Sequence, residues 1–205
     1  MNRKKGKWIG LFCLVFSLLI TGCSSTPEQN SGDDWGCPTD GTACEPEPRP
    51  SGDTDPLDQF TENSFDDAVA LFQDGKSGLL YFGFPDCPWC KEVVPVLEQE
   101  AEDAGQEVLY VRTRDDDKER LYTDEQKEQI IPWLKDYMSE NDEGELTLYV
   151  PLVVAVENGK ATAGNVGTVK GHNAHERDMT GEEKEQLQEI LRNIVNQAAQ
   201  ASEAE

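Results

Sequence analysis

The sequence predicts an α/β domain in which a central mixed β-sheet is flanked by helices. A nearly apolar run at residues 78–84 is typical of a strand that is covered on both faces, and it leads into a segment with helical periodicity. The dipeptide Asn158-Gly159 is a strong hairpin signal between two further predicted strands, at about 148–157 and 160–166. Strands and helices in this order indicate a sheet with helices packed against it.

Three further helices are predicted from their capping residues. Each combines a hydroxyl side chain at the N-cap with an acceptor three residues later, which satisfies free N–H groups of the first turn. The pairs are Ser64 with Asp67, Thr123 with Gln126, and Thr180 with Glu183. With strands at about 59–61 and 107–112, the predicted order is β-α-β-α-β-α-β-β-α. Pro132 lies within the third helix, and we expect it to interrupt that helix.

The motif Cys87-Pro88-Trp89-Cys90 lies at the predicted strand-to-helix turn. Two cysteines with this spacing and context indicate a redox pair. The free N–H groups and the dipole at a helix N-terminus stabilise a thiolate on the first cysteine. Cys87 is therefore the expected nucleophile and Cys90 the resolving thiol, while Pro88 occupies a position where a missing N–H group does no harm.

Metal binding is the alternative interpretation of this pair. A zinc site would need two more cysteines or histidines at ligand spacing. Cys37, Cys44, His172 and His175 are available, but none of them forms a second ligand pair near the first. We therefore predict no metal site, although a copper-handling role for the pair stays open. The two histidines are interpreted as exposed loop residues; the alternative is that they bind a metal or act as acid and base.

The spacing Cys-x-x-Cys-Lys-x-x-x-Pro, which ends at Pro95, resembles the active site of the thioredoxin superfamily. A second segment, residues 148–160, resembles the thioredoxin segment in which a cis-proline precedes a strand and an Asn-Gly hairpin. The resemblance covers about residues 59–197. It implies a thioredoxin fold with a helical insertion, at 113–147, before the strand that follows the cis-proline.

The same resemblance implies roles for the residues around the cysteines. Pro151 aligns with the cis-proline, and Val150 with the residue whose backbone meets the substrate. Pro88 and Trp89 are expected at the rim of the site, in contact with substrate. Many thioredoxins carry a buried aspartate six residues before the first cysteine, whereas this sequence has Tyr81. Proton transfer from the resolving thiol must then use water or another group.

Residues 1–22 resemble the signal peptide of a bacterial lipoprotein. A basic start is followed by an apolar stretch, residues 8–20, that is too short to span a bilayer comfortably. The sequence Ile20-Thr21-Gly22-Cys23 resembles a lipobox, which implies lipidation of Cys23. The alternative is an ordinary signal peptide with a chance cysteine. Together with the thioredoxin motifs, the chain is similar to thioredoxin-like lipoproteins of Gram-positive bacteria (bacteriocin transport accessory protein-like).

Residues 23–58 are predicted to form a flexible tether, because their composition cannot bury enough apolar surface to fold. Cys37 and Cys44 lie within it, and the residues between them permit a small closed loop. We interpret these two cysteines as a structural disulfide. The alternative is a second thiol pair that exchanges electrons with Cys87 and Cys90.

The thioredoxin-like domain is predicted at residues 59–198, with a C-terminal tail at 199–205. The chain has 205 residues and a formal net charge of −23, which becomes −27 once residues 1–22, with four positive and no negative charges, are removed. Such a chain should be repelled by nucleic acid and by anionic lipid head groups, so only the lipid would hold it at the membrane.

These observations predict a lipid-anchored thiol-disulfide oxidoreductase at the extracytoplasmic face of the cell membrane. It would need no cofactor, act as a monomer on disulfides or thiols of exported proteins and peptides, and be recycled by a membrane redox partner. The direction of the reaction, reducing or oxidising, is left open. The alternative is a thioredoxin-fold accessory protein that binds a peptide or a metal ion, in which the cysteines are secondary.

Overall fold

The computed structural model describes residues 56–204. The predicted signal peptide at 1–22, the predicted lipidation site Cys23 and the predicted disulfide between Cys37 and Cys44 lie outside the described residues, as does most of the predicted tether. No helix within residues 56–204 is both long enough and apolar enough to cross a membrane.

Seven strands and four α-helices make up the described part of the chain. The strands are β1 (Thr61–Asn63), β2 (Gly78–Gly83), β3 (Val108–Arg112), β4 (Ser139–Glu140), β5 (Leu146–Thr147), β6 (Leu152–Glu157) and β7 (Lys160–Val166). The helices are α1 (Phe65–Gln73), α2 (Pro88–Ala104), α3 (Asp124–Leu134) and α4 (Gly181–Glu203), with 3₁₀ turns at Pro56–Gln59 and Lys135–Tyr137.

Five of the strands form one mixed sheet with the order β1-β3-β2-β6-β7. Strands β1, β3 and β2 run parallel, whereas β6 is antiparallel to β2 and β7 is antiparallel to β6. Helices α2 and α4 cover one face of this sheet, and α1 and α3 cover the other. This is the thioredoxin fold, and the fold class predicted from the sequence is confirmed.

Strand β2 lies at the centre of the sheet, and all six of its residues are buried. Leu79 and Tyr81 pack into the core beneath α2 and α4, whereas Leu80 and Phe82 pack into the core beneath α1 and α3. The alternation follows from the two-residue period of a strand, and it explains why the run is apolar on both faces. The strand ends at Gly83, four residues before Cys87.

The structure differs from the sequence-based elements at several boundaries. The strand expected at 59–61 begins only at Thr61, because Pro56–Gln59 forms a 3₁₀ turn, which suits the fixed φ of proline. Helix α3 continues through Pro132 to Leu134, and the burial of Ile130 and Leu134 holds this end of the helix in place. The insertion at 113–147 also contains the small β4–β5 hairpin.

The three predicted N-caps are present, each with a side chain that accepts the N–H group three residues later. The last helix, α4, extends to Glu203 and takes in most of the segment that was expected to be a C-terminal tail, 199–205. The reason is that its buried stripe continues through Ala198 and Ala201. Short side chains carry too weak an apolar signal for the sequence alone to show this.

Candidate active site

Cys87 is the N-cap residue of α2. Its backbone is extended, and its sulfur accepts a hydrogen bond from the backbone N–H of Cys90 at 3.3 Å. Pro88 follows as the first helical residue, where its fixed φ suits the helix and no N–H group is lost. A sulfur in this position receives the N–H groups that the first turn leaves free, and these groups favour its anionic form.

The two thiols therefore differ strongly in acidity. The pKa of Cys87 is lowered to about 7, first by the side-chain hydrogen bond with Cys90, then by the backbone N–H groups of Cys90 and Trp89, and also by the charge of Lys91. The pKa of Cys90 is raised far above its usual value, first by burial and then by its hydrogen bond with Cys87 and the Cys87 charge. At neutral pH Cys87 is thus the more nucleophilic of the two thiols, and Cys90 is the one that stays protonated.

Lys91 is the nearest cation to Cys87 along the chain. Its ammonium nitrogen lies 3.4 Å from a carboxylate oxygen of Asp86, and both side chains are exposed. The charge of Lys91 contributes less to the low pKa of Cys87 than the backbone N–H groups do.

A groove of about 400 Å³ opens beside Cys87. Pro88, Trp89 and Val150, three of the four predicted substrate-binding residues, line this groove. The fourth, Pro151, is buried and follows Val150 through a cis peptide bond. The carbonyl oxygen of Val150 lies 4.0 Å from Cys87 Sγ, so the structure brings the predicted residues together around one sulfur.

His175 is an exposed loop residue, as predicted, and it also lines the groove, which the sequence did not show. Its ring makes an edge contact with Trp89, with centroids 4.6 Å apart and an interplanar angle of 87°. The contact fixes the indole at the rim of the groove. A histidine 85 positions along the chain from Cys90 carries no local signal of this proximity.

His172 is buried, and this corrects the prediction that it is an exposed loop residue. Its side chain has no exposed surface, and its Nε2 lies 2.5 Å from a carboxylate oxygen of Glu92. The other carboxylate oxygen of Glu92 accepts the backbone N–H of Met179 at 3.0 Å. Glu92 belongs to α2, so it ties the segment between β7 and α4 to the helix that carries the cysteines.

We expect Glu92→Ala to lower the free energy of unfolding by roughly 1–3 kcal/mol, because the buried His172 ring and the Met179 N–H group would lose their hydrogen-bond partner. Urea denaturation checks this value. Glu98→Ala is the matched control, since Glu98 lies on the same helix and its side chain makes no hydrogen bond or ion pair within residues 56–204. Equal effects of the two substitutions would contradict the role of Glu92.

Tyr81, which the resemblance places where many thioredoxins have an aspartate, is fully buried. Its ring stacks on Tyr110 at 5.4 Å and meets Phe60 edge-on at 5.8 Å. Burial raises the pKa of Tyr81 well above its usual value, so the phenol stays neutral and cannot serve as a base. Within residues 56–204 its hydroxyl has no hydrogen-bond partner of normal geometry, but its proximity to Cys90 lowers the pKa of that thiol against the larger, raising effect of burial.

Gly83 makes room for Tyr81. The two residues share one face of β2, and a methyl group on Gly83 would lie 2.2 Å from the Tyr81 hydroxyl oxygen. The absence of a side chain at position 83 therefore allows the phenol to lie along the strand toward the cysteines.

A smaller cavity, of about 180 Å³, is lined by Cys90 and not by Cys87. Its lining is mainly apolar and includes Leu57, Phe84 and Pro95. The volume is sufficient for several water molecules, which occupy about 30 Å³ each. Because this lining offers water few hydrogen-bond partners, the cavity is an apolar space beside Cys90 and not a formed proton path.

The pH dependence of alkylation tests the low pKa of Cys87. In a Cys37→Ser, Cys44→Ser background, the rate with iodoacetamide should rise with pH, reach half its maximum near pH 7 and level off by about pH 8.5. The direction follows because only the thiolate reacts, and its fraction grows as pH rises through the pKa. A midpoint at about 8.5, the value of an ordinary cysteine, would contradict the role of the helix N-terminus.

No family model matches the sequence, and no curated protein matches it. Among solved structures, thioredoxin O2 from Arabidopsis thaliana in the oxidized state is similar, with 16% sequence identity and a TM-score of 0.33. The match covers 58% of this chain and 87% of the thioredoxin chain. Within residues 56–204, no group of three or more histidine, cysteine or acidic side chains is arranged to hold a metal ion.

Proposed function

We propose that the protein is a thiol-disulfide oxidoreductase that works by dithiol-disulfide exchange through Cys87 and Cys90. The observation that carries this proposal is the asymmetry of the pair. Cys87 is acidic, caps a helix and borders an open groove, whereas Cys90 is held behind it as a protonated thiol. An attacking thiol with a pKa near the ambient pH is the most effective nucleophile in disulfide exchange.

The reaction then proceeds in two displacements. The Cys87 thiolate attacks one sulfur of a substrate disulfide, forms a mixed disulfide, and releases the other substrate sulfur as a thiolate. Cys90 loses its proton and attacks the Cys87 sulfur, which forms the Cys87–Cys90 disulfide and releases the second substrate thiolate. The substrate is reduced by two electrons and the protein is oxidised by two. The reverse sequence installs a disulfide.

We further propose that the reaction takes place at the extracytoplasmic face of the cell membrane. Support comes from residues 1–22, which resemble a lipoprotein signal peptide, and from Cys23, where a lipid would be attached. On this proposal, residues 23–58 act as a tether, the substrates are disulfides or thiols of exported proteins, and a membrane protein recycles the cysteine pair. The same features support a relationship to the bacteriocin transport accessory protein-like lipoproteins of Gram-positive bacteria.

The reduction potential of Cys87–Cys90 tests the proposal and decides its direction. It can be measured by equilibrating residues 24–205, with Cys37 and Cys44 replaced by serine, in dithiothreitol or glutathione buffers. A value near −270 mV would indicate a reductase, and one near about −120 mV would indicate an oxidant. If no dithiol titrates, the oxidoreductase proposal is wrong and the accessory-protein alternative takes its place.

A further inference from the structure

The groove beside Cys87 is basic although the chain as a whole is strongly acidic. Three cationic side chains line it, those of Arg114, Lys118 and Arg120, against one acidic side chain, that of Asp86. The formal net charge of the whole chain is −23, so a surface with an excess of positive charge runs against the composition. All three cations lie in the charged segment after β3, within the insertion predicted at 113–147.

The backbone of this segment holds the cations toward the groove. Arg114 and Arg120 form an antiparallel bridge, and the Arg114 guanidinium donates a hydrogen bond to the carbonyl oxygen of Lys118 at 2.6 Å. The carboxylate of Asp115 accepts the N–H groups of Asp117 and Glu119, which stabilises the turn between the two arginines. The cations are therefore fixed by a compact turn at the edge of the groove.

Phe84 anchors this turn to the active site. The Arg114 guanidinium carbon lies 5.9 Å from the centroid of the Phe84 ring, three positions before Cys87. At its other end, Arg120 lies 5.1 Å from the centroid of the Tyr122 ring. Contacts of this type orient a guanidinium while leaving its edge free to bind an anion.

Two of the three cations have no anionic partner in the described part of the chain. Arg120 pairs with Asp124 at 2.8 Å, and the nearby Arg112 pairs with Asp116. The side chains of Arg114 and Lys118 form no ion pair within residues 56–204. Asp86, the one acid in the groove, is paired with Lys91, which leaves Arg114 and Lys118 available to a ligand.

We propose that Arg114 and Lys118 bind carboxylates next to the substrate cysteine, so that the protein selects acidic, cysteine-containing peptide segments. The inference rests on the proposed exchange reaction at Cys87. A flexible peptide can place an Asp or Glu side chain against the turn while its own sulfur meets Cys87, because both line the same groove. The net negative charge of the protein repels other acidic surfaces, so the attraction is confined to this groove.

Peptide disulfides of matched sequence test the proposal. Each peptide is closed by a disulfide between two cysteines and carries two Glu, two Gln or two Lys residues beside one of them. Their rates of reduction are measured with residues 24–205 in a Cys37→Ser, Cys44→Ser background at low ionic strength. Each rate is divided by the rate at which iodoacetamide, a neutral reagent, alkylates the same protein, which removes differences in the reactivity of Cys87.

We expect the Glu peptide to react roughly three to ten times faster than the Lys peptide, the range for two exposed ion pairs. The ratio should fall toward one in Arg114→Gln, Lys118→Gln and toward one in high salt. Lys118→Gln alone should give an intermediate ratio, and it keeps the turn intact because Arg114 bonds only the backbone oxygen of Lys118. The double variant Lys76→Gln, Lys160→Gln is the matched control at the opposite end of the sheet.

A Glu-to-Lys ratio that is the same in the groove variants and in the control would overturn the proposal. So would a wild-type protein that prefers the Lys peptide, because the field of the whole chain would then outweigh the groove. The Gln peptide separates this failure from failure of the exchange reaction itself. If the Gln peptide is reduced, the oxidoreductase proposal stands whatever the charge selectivity.

Discussion

Cys90→Ser is expected to accumulate a mixed disulfide between Cys87 and its substrate, whereas Cys87→Ser should form none and lose exchange activity at least about a hundredfold. The reason is the difference in acidity. About half of Cys87 is thiolate at pH 7, but the pKa of Cys90 is raised far above its usual value, so it supplies almost no nucleophile on its own.

The two variants are compared by reducing a peptide disulfide and by mass spectrometry of the protein before and after addition of dithiothreitol. A Cys37→Ser, Cys44→Ser variant with the native pair is the control, and it should retain the exchange reaction. An adduct on Cys90 in the Cys87→Ser variant, formed at the native rate, would reverse the assignment of the two thiols. A cellular phenotype that survives Cys87→Ser would favour the accessory-protein alternative, because docking does not need the nucleophile.

Much of the fold could be predicted because its signals are local. The apolar run of β2, the Asn158-Gly159 hairpin and the capping side chains at Ser64, Thr123 and Thr180 each act over a few residues. The cysteine pair is local in the same sense, since Cys87 caps the helix that contains Cys90. Patterns that span only a few residues can be recognised in a single sequence.

The rest of the site depends on contacts between distant parts of the chain. His172 and Glu92 are 80 positions apart, and the pairing of an imidazole with a carboxylate leaves no periodic pattern. Arg114 and Lys118 belong to a segment whose charges balance almost completely along the chain. The fold shows that the Asp116 carboxylate pairs with Arg112 and that the Asp115 carboxylate accepts backbone N–H groups. Arg114 and Lys118 therefore keep their charges at the groove.

Tyr81 shows both kinds of information together. The resemblance implies that a tyrosine replaces the aspartate of many thioredoxins, and it predicts that proton transfer from Cys90 uses water or another group. It does not show that the phenol needs a glycine two residues later. The requirement is steric, because the two residues lie on one face of the strand. It can be recognised only when the conformation of the Tyr81 side chain is known.

Gly83→Ala is therefore expected to destabilise the protein by about 3 kcal/mol, the upper part of the range for overpacking a core. The new methyl group would lie 2.2 Å from the Tyr81 hydroxyl oxygen and 2.5 Å from the adjacent ring carbon. The ring cannot move aside freely, because Tyr110 stacks on it and Phe60 packs against it. Urea denaturation measures the change in the free energy of unfolding.

Gly181→Ala is the matched control, since a methyl group there meets no atom within 4 Å and the position lies in the first turn of α4. It should be neutral or stabilise the protein by up to about 1 kcal/mol. A double-mutant cycle with Tyr81→Val identifies the cause. The valine removes the atoms that the new methyl group would strike, so the double variant should be more stable than the sum of the single effects predicts, by about 1–3 kcal/mol.

The same substitutions also test whether the position of the Tyr81 ring affects the reactivity of Cys90. Gly83→Ala pushes the phenol away from its place beside Cys90, and the hydroxyl is a group that favours ionisation of that thiol. The variant should therefore resolve a preformed mixed disulfide on Cys87 more slowly than the native protein, while the alkylation midpoint of Cys87 stays near pH 7, because its backbone N–H partners belong to α2. Additive stability effects with an unchanged rate of resolution would show that Tyr81 only fills space.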